Sequence, residues 1–289
     1  MVGLSLHSII PVRTEAKESA EQSTQILFGE TFDVLEQLPR WNRVRLHQDK
    51  QEGWVDVKMV TPMTEKEYRA YKKEYQKAAM VAFPMAYAVS ENNGQTIPLT
   101  AGTKLTNYRE GRFEVLGVGF RIDAGMVIEK PLELNETNLQ KAVRFFLNTP
   151  YLWGGKNALG MDCSGFTQTV MSLFGKKLLR NASEQVTQGR AISLLDNARA
   201  GDLVFFDHED GKISHVGIIL NGTRNKEQGA RNREQGTKNK DERPWTIVHC
   251  SGRVKVERLD EKGVFSTEIK DTKCPNGTYT HHLVAIRRV

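Results

Sequence analysis

Residues 151–174, YLWGGKNALGMDCSGFTQTVMSLF, carry the reading that decides the fold. The first half is turn-rich, with Gly154, Gly155 and Gly160, and the second is helical, with Asp162 placed to cap its start and Gly175 its end. Cys163 then occupies the first turn of a predicted helix, where unpaired backbone N–H groups and the positive end of the helix dipole favour an anion. A thiolate is stabilised in such a place. The glycines, Gly165 included, leave the sulfur open to a substrate, and the Cys163 N–H is placed to help bind a developing oxyanion.

Working outward, ETNLQKAVRFFLN before this turn is amphipathic, with Leu139, Ala142, Val143 and Phe146 on one face and Thr149-Pro150 as its stop. After it, Asn181 and Glu184 form a cap signal for a short helix. Beyond Gly201 the signal is strand: LVFF, HVGIIL, TIVHCS and HHLVAIRRV. Helices followed by antiparallel strands make an α+β arrangement. A nucleophilic thiol needs a base within reach and a third group to hold that base, and His215 and His249, each in a predicted strand, supply both types. Cys250 is a rival nucleophile, but it sits mid-strand on the face opposite His249, with no helix terminus to lower its pKa. A zinc site built from Cys163, His215, His249 and Cys250 would lack the close paired spacing such sites show, so neither a metal nor an organic cofactor is expected.

Upstream, residues 11–60 are short apolar runs broken by turns, which reads as small antiparallel β-structure. Thr64 and Glu67 form a capping box, and Tyr68, Tyr71 and Tyr75 recur at helical spacing, so a linking helix is expected. Pro84 stops any continuation, and residues 80–130 read as a second small β-unit with turns at Asn93-Gly94 and Glu110-Gly111.

The chain has 289 residues, 39% hydrophobic and 26% charged, an ordinary globular composition that excludes wholly disordered, collagenous and disulfide-scaffold proteins. No apolar run approaches the roughly 20 residues a membrane-spanning helix needs, and residues 1–11 lack the pattern of a secretory leader, so a cytoplasmic protein is expected, or an exported one if a leader was removed. The net charge is +6, and half of it lies between Arg224 and Arg243, where RNKEQGA, RNREQGT and KNKDER repeat in tandem. With no apolar a and d positions this is no coiled coil, and with no interleaved aromatic it is no nucleic-acid platform, so a solvated loop is expected at 223–243. The three cysteines, Cys163, Cys250 and Cys274, lack C-x-x-C pairing.

Taken together, TPYLWGG (149–155), DCSGF (162–166), AGDLVFF (200–206), SHVGIIL (214–220) and IVHCSG (247–252) resemble the NlpC/P60 cysteine peptidases, a resemblance that covers 131–289. The N-terminal half resembles two bacterial SH3 (SH3b) modules, the first through PVR (11–13), FGE (28–30) and GWV (53–55). The resemblance implies a papain-like α+β catalytic domain preceded by two small all-β SH3b-like barrels: residues 1–62, a linker helix at 63–79, 80–130, and then 131–289. It implies Cys163 as nucleophile, His215 as general base and acid, and His249 as the polar residue orienting His215. It also implies Tyr151 near the oxyanion site, Asp162 facing the substrate amine, Ser164 facing a D-glutamyl carboxylate, and Ser183 as a further substrate contact.

The arrangement resembles endopeptidases of murein-peptide recycling, which cut γ-D-glutamyl–diamino acid bonds in stem peptides with a free N-terminal L-Ala because the first module closes one end of the cleft. Such a wall needs an anion for the substrate ammonium, and Glu18 and Glu21 in the first module's loop are the candidates. Related proteins often carry a tyrosine where this chain has Gln51. The expected partner is therefore a stem peptide, L-Ala-γ-D-Glu followed by meso-diaminopimelate or L-Lys, acted on by a monomer with no nucleic-acid or membrane partner. Two rival readings are an amidase or acyltransferase on the same core, and a non-catalytic scaffold that binds peptidoglycan through its SH3b modules.

Overall fold

The computed structural model of the protein describes residues 1–207, 211–221, 244–269 and 276–289, so the repeat at 223–243 and Cys274 lie outside the described residues. The chain divides into two compact units, Met1–Glu133 with Thr149–Arg180, and Leu134–Asn148 with Asn181–Val289.

In the first unit the short runs read at residues 11–60 become, with Val2–Leu4 and Thr61–Met63, one antiparallel sheet. It runs in space from Gln22–Leu27 through Ile9–Arg13, Glu52–Asp56, Trp41–Leu46, Thr31–Gln37 and Val2–Leu4 to Thr61–Met63. Trp41–Leu46 shows why: Asn42, Val44 and Leu46 are buried while Arg43 and Arg45 are exposed, the period of two of a half-buried strand. Val44 and Leu46 close with Ile10, Val12, Ile26, Phe32 and Val55 into a core of their own.

Thr64 opens the helix Glu65–Gln76 with the expected capping box, its side chain accepting from the Glu67 N–H while the Glu67 carboxylate accepts from the Thr64 N–H. Residues 79–128 then form two small antiparallel sheets, Thr96–Thr100, Met85–Ser90, Val118–Ile122 and Arg112–Val115 in one, Lys104–Leu105, Ala79–Val81 and Val127–Ile128 in the other. The hairpin at Glu110-Gly111 has both residues at positive φ, 47° and 82°, the conformation a tight primed turn requires.

The two β-units are not independent modules. Val2, Leu4, Phe28 and Met63 from the first, Tyr71 from the helix, and Ala86, Leu99, Phe113 and Phe120 from the second form a single apolar cluster. At its centre Phe113 and Phe120 stack at 5.0 Å and Phe28 meets Phe120 edge-on at 5.5 Å.

Residues 149–180 belong to this first unit. The physical reason is a row of polar bonds from the strand Gln22–Leu27. Gln22 Nε2 donates to the Trp153 carbonyl at 3.1 Å, Gln25 Oε1 accepts from the Lys156 N–H at 2.8 Å and Asn157 Nδ2 at 2.9 Å, and Thr24 Oγ1 accepts from Arg180 Nε at 2.8 Å.

The second unit is built on an antiparallel sheet in the order Arg190–Ala191, Thr278–Arg288, Leu203–Asp207, His215–Asn221, Trp245–Ser251, Arg253–Asp260 and Gly263–Ser266. Gly263–Ser266 pairs back onto Thr278–Arg288, so the sheet closes on itself and leaves one enclosed face. Val204, Phe206, Ile219, Ile247, Leu259, Val264 and Ile286 form its core. The helix Glu136–Arg144, capped by Asn135, buries Leu139, Ala142 and Val143 and packs against the His215–Asn221 strand. Among the described residues no helix is long and apolar enough to cross a membrane.

Tyr71 is buried and its hydroxyl donates to the Gly29 carbonyl at 2.8 Å, which ties the helix to the first β-unit. Tyr71→Phe keeps the packing and strands that carbonyl, so it should cost about 1–2 kcal/mol. The loss is expected as a lower thermal midpoint of the first unit in calorimetry; an unchanged midpoint would show that the bond carries no stability.

Candidate active site

The segment around Cys163 forms as its glycines and aspartate dictate. Gly154 has φ +72°, and a Cβ on Gly155 or Gly165 would collide with the Gly160 carbonyl or the Gly155 carbonyl respectively, so this turn closes only with glycine at both places. Asp162 is the N-cap of the helix Cys163–Ser172, Oδ1 accepting from the Gly165 N–H at 2.7 Å while Oδ2 accepts from the Gly154 N–H at 2.9 Å. Cys163 is the first residue of the helix, buried at 6% exposure and outside any disulfide.

A residue that the sequence reading did not single out completes this group. Arg180 is 1% exposed, and its guanidinium grips Asp162 through Nη1 to Oδ1 at 3.0 Å and Nη2 to Oδ2 at 2.5 Å. Nη1 also donates to Ser164 Oγ at 2.8 Å, and the Ser164 hydroxyl donates to Asp162 Oδ1 at 3.3 Å. Asp162 and Ser164, expected to face substrate, are thus buried and engaged with Arg180. Nothing in KKLLRNASEQ separates such an arginine from a surface cation, and only its place just before Asn181, the cap of the helix Ala182–Gln185, marks it.

Of the other residues expected here, Tyr151 is half-buried and bridges to Met161. Gln51 sits in a turn whose Asp49 accepts from Gln168 Nε2 of the Cys163 helix at 3.2 Å. Glu18 and Glu21 are both exposed: Glu18 lines a surface hollow with Lys17, Leu38, Arg40 and Trp41, and Glu21 immediately precedes Gln22, which touches the Trp153 carbonyl.

In the second unit the two histidines meet. Cross-strand pairing puts His215 opposite Phe206 and His249 opposite Gly217, so both rings point to the enclosed face. His215 Nε2 and His249 Nδ1 lie 2.8 Å apart, and the rings cross at 81°. Gly217 makes the room, since a Cβ there would press on Ile247 Cδ1 at 2.5 Å and His249 Cβ at 2.9 Å. His281 lies over His215 with centroids 4.3 Å apart.

Beyond His249 stands Glu257, also not singled out in the sequence, its Oε2 2.8 Å from His249 Nε2 and 3.2 Å from Lys255 Nζ. Burial alone would raise the Glu257 carboxyl, but the His249 bond, with Ser266 and the charge of Lys255, holds it down at about 2. Burial lowers His249, and the Glu257 carboxylate only partly offsets it. Cys250 lies on the opposite face of the same strand and is fully buried, and Ser183 is exposed on the one-turn helix Ala182–Gln185.

The NlpC/P60 family pattern matches residues 148–268, and the pattern of the bacterial dipeptidyl-peptidase Sh3 domain matches 12–59. A gamma-D-glutamyl-L-lysine dipeptidyl-peptidase of Bacillus subtilis is 31% identical over 219 residues, 69% of each chain. The chain belongs to the NlpC/P60 family. An NlpC/P60 family protein from Bacillus cereus covers 100% of this chain and 99% of its own at a TM-score of 0.72 and 16% identity. An NlpC/P60 endopeptidase from Photobacterium damselae covers 89% and 66% at 0.65 and 14%. These establish an NlpC/P60 fold with an N-terminal SH3 domain, and the protein is a peptidase-family hydrolase.

Arg180→Met would leave the Asp162 carboxylate buried without its counterion, at a cost of about 3–5 kcal/mol. Arg180→Met with Asp162→Asn removes both charges and should recover part of it. A double-mutant cycle read by thermal denaturation checks this; strictly additive effects would show that the two do not stabilise one another.

Proposed function

We propose that this NlpC/P60 peptidase is a cysteine endopeptidase that cleaves the γ-D-glutamyl–diamino acid bond of murein stem peptides bearing a free N-terminal L-Ala. The observation that carries the reading is the buried His215–His249 pair at 2.8 Å, an imidazole oriented by a second polar ring in the manner a general base requires. It is supported by Cys163 as the first residue of a helix, where the dipole favours a thiolate. The substrate class is supported by the gamma-D-glutamyl-L-lysine dipeptidyl-peptidase at 31% identity.

In the proposed reaction the Cys163 thiolate attacks the γ-carbonyl carbon of D-Glu. A C–S bond forms as the carbonyl electron pair moves onto oxygen, and backbone N–H of Cys163 and the Tyr151 side chain stabilise that oxyanion. His215, protonated, gives its proton to the amine of the diamino acid as the C–N bond breaks. Water then attacks the thioester as His215 takes its proton, the C–S bond breaks, and L-Ala-γ-D-Glu leaves with the Cys163 thiolate and the protonated His215 restored. His249 keeps the His215 ring in line throughout.

The free-amine requirement is assigned to the first β-unit. Its Gln22 bonds the Trp153 carbonyl ten residues before the nucleophile, which favours Glu21 over Glu18 as the anion for the L-Ala ammonium. Ser183 is assigned to a polar group of the substrate, and Asp162 and Ser164, whose polar atoms are held by Arg180, to the D-glutamyl and amine side of the site through the segment they fix.

The test is mass-spectrometric turnover of L-Ala-γ-D-Glu-meso-diaminopimelate, its L-Lys analogue and the N-acetylated forms. Only free-amine peptides should be cleaved, between D-Glu and the diamino acid, and Cys163→Ala should lower kcat by at least ~10³-fold. Cleavage that survives Cys163→Ala, or equal cleavage of acetylated peptides, would overturn the nucleophile or the amine requirement respectively.

A further inference from the structure

We propose that Glu257 is a positioning residue whose carboxylate, by accepting the Nε2–H of His249, holds the His249–His215 pair in the one proton order that suits His215 to act as a base. This rests on the reading of His215 as the general base given above.

The argument follows the protons. An ionised carboxylate is acceptor-only, so the 2.8 Å contact with Glu257 requires the proton of His249 on Nε2. His249 is fully buried and held neutral by that burial, so its Nδ1 carries none and can only accept. The partner of Nδ1 at 2.8 Å is His215 Nε2, which therefore donates. In neutral His215 the proton then sits on Nε2 and Nδ1 is unprotonated, ready to take a thiol proton. When His215 becomes an imidazolium, Nε2–H still donates to the same acceptor, so the order serves both states of the catalytic cycle. Without the carboxylate, His249 is able to turn Nδ1–H toward His215, which would reverse the order.

The surroundings fit a retained charge rather than an incidental one. Lys255 Nζ from the same strand lies 3.2 Å from Glu257 and 3.1 Å from Glu268, so the carboxylate is buried with a counterion. Ser266 adds its hydroxyl from the next strand. The remaining titratable neighbours are His281, whose ring lies 4.3 Å from His215 and 5.6 Å from His249, and whose Nδ1 is bonded to Thr280 Oγ1. Lys255, a donor only, cannot replace an acceptor at His249 Nε2.

The experiment reads histidine tautomers by long-range ¹H–¹⁵N NMR on the whole protein near pH 8, with turnover of L-Ala-γ-D-Glu-meso-diaminopimelate measured alongside. Wild type should show Nε2–H in both His249 and His215. Glu257→Leu, which removes the acceptor at similar volume, should lose that preference and lower kcat ~10–100-fold with KM within about twofold. Glu257→Gln keeps an acceptor oxygen without the charge, so it should keep the tautomers, restore most of kcat, and move the basic limb of the pH–rate profile to lower pH because the imidazolium loses a nearby anion. If Glu257→Leu fails to fold, the shift in Glu257→Gln alone decides. Wild-type tautomers and kcat in folded Glu257→Leu, or an unshifted profile in Glu257→Gln, would overturn the proposal. The NMR arm needs no substrate, so a wild type inactive on this peptide would sink the proposed function and leave the proton order still tested.

Discussion

One carboxylate, that of Asp162, is the constraint on which the first unit's chemistry depends. Its two oxygens close the Gly154 turn, start the Cys163 helix at Gly165 and receive both arms of the Arg180 guanidinium. Arg180 reaches on to Thr24, so the cap, the turn and the Gln22–Leu27 strand are one bonded system. A buried charge of this kind is tolerated only when its partners are fixed, and here each is fixed by backbone or by a bidentate pair. The β-unit before Cys163 therefore acts as the seat of the helix start.

The second unit solves a different problem, that of placing imidazoles on the same enclosed face as a hydrophobic core. One end of that face is Ile219, Ile247, Leu259 and Val264, and the other is His215, His249, Lys255 and Glu257. The register makes the change abrupt: along Trp245–Ser251 and Arg253–Asp260 the same inward row runs Ile247 to His249 and Leu259 to Glu257 to Lys255. The apolar end holds the backbone rigid, and the polar end inherits that rigidity, which is what a hydrogen-bonded relay needs to keep 2.8 Å spacings without loose side chains.

Local signals in the sequence announced the elements well because they act within a few residues. The capping boxes at Thr64 and Asn181, the Asp162 cap and the strands around His215 and His249 all stand where residue chemistry puts them. What the sequence hid is pairing at a distance. In RVKVERLD the rule that apolar residues point inward reads Val256 as core and Glu257 as solvent, yet Val256 is 44% exposed and Glu257 is 9%. The inversion follows from the neighbour: His249, fixed by the next strand, rewards an acceptor at Glu257 more than a methyl group. Likewise Arg180 reads as a surface cation because Asp162 lies 18 residues away in sequence, and Phe28 gives no sign that its partners are Phe113 and Phe120.

Pairing Asp162 with Arg180 also bears on the helix start itself. As a lone N-cap an aspartate would cancel part of the positive end of the helix it begins. A guanidinium bound to both carboxylate oxygens neutralises that charge while leaving its hydrogen bonds to Gly165 and Gly154 in place. The chain thus keeps the geometric benefit of an acidic cap with its charge met by a bidentate counterion. A neutral cap such as asparagine could start the helix, but its single carbonyl oxygen could not also hold the Gly154 turn and bind Arg180 in two places.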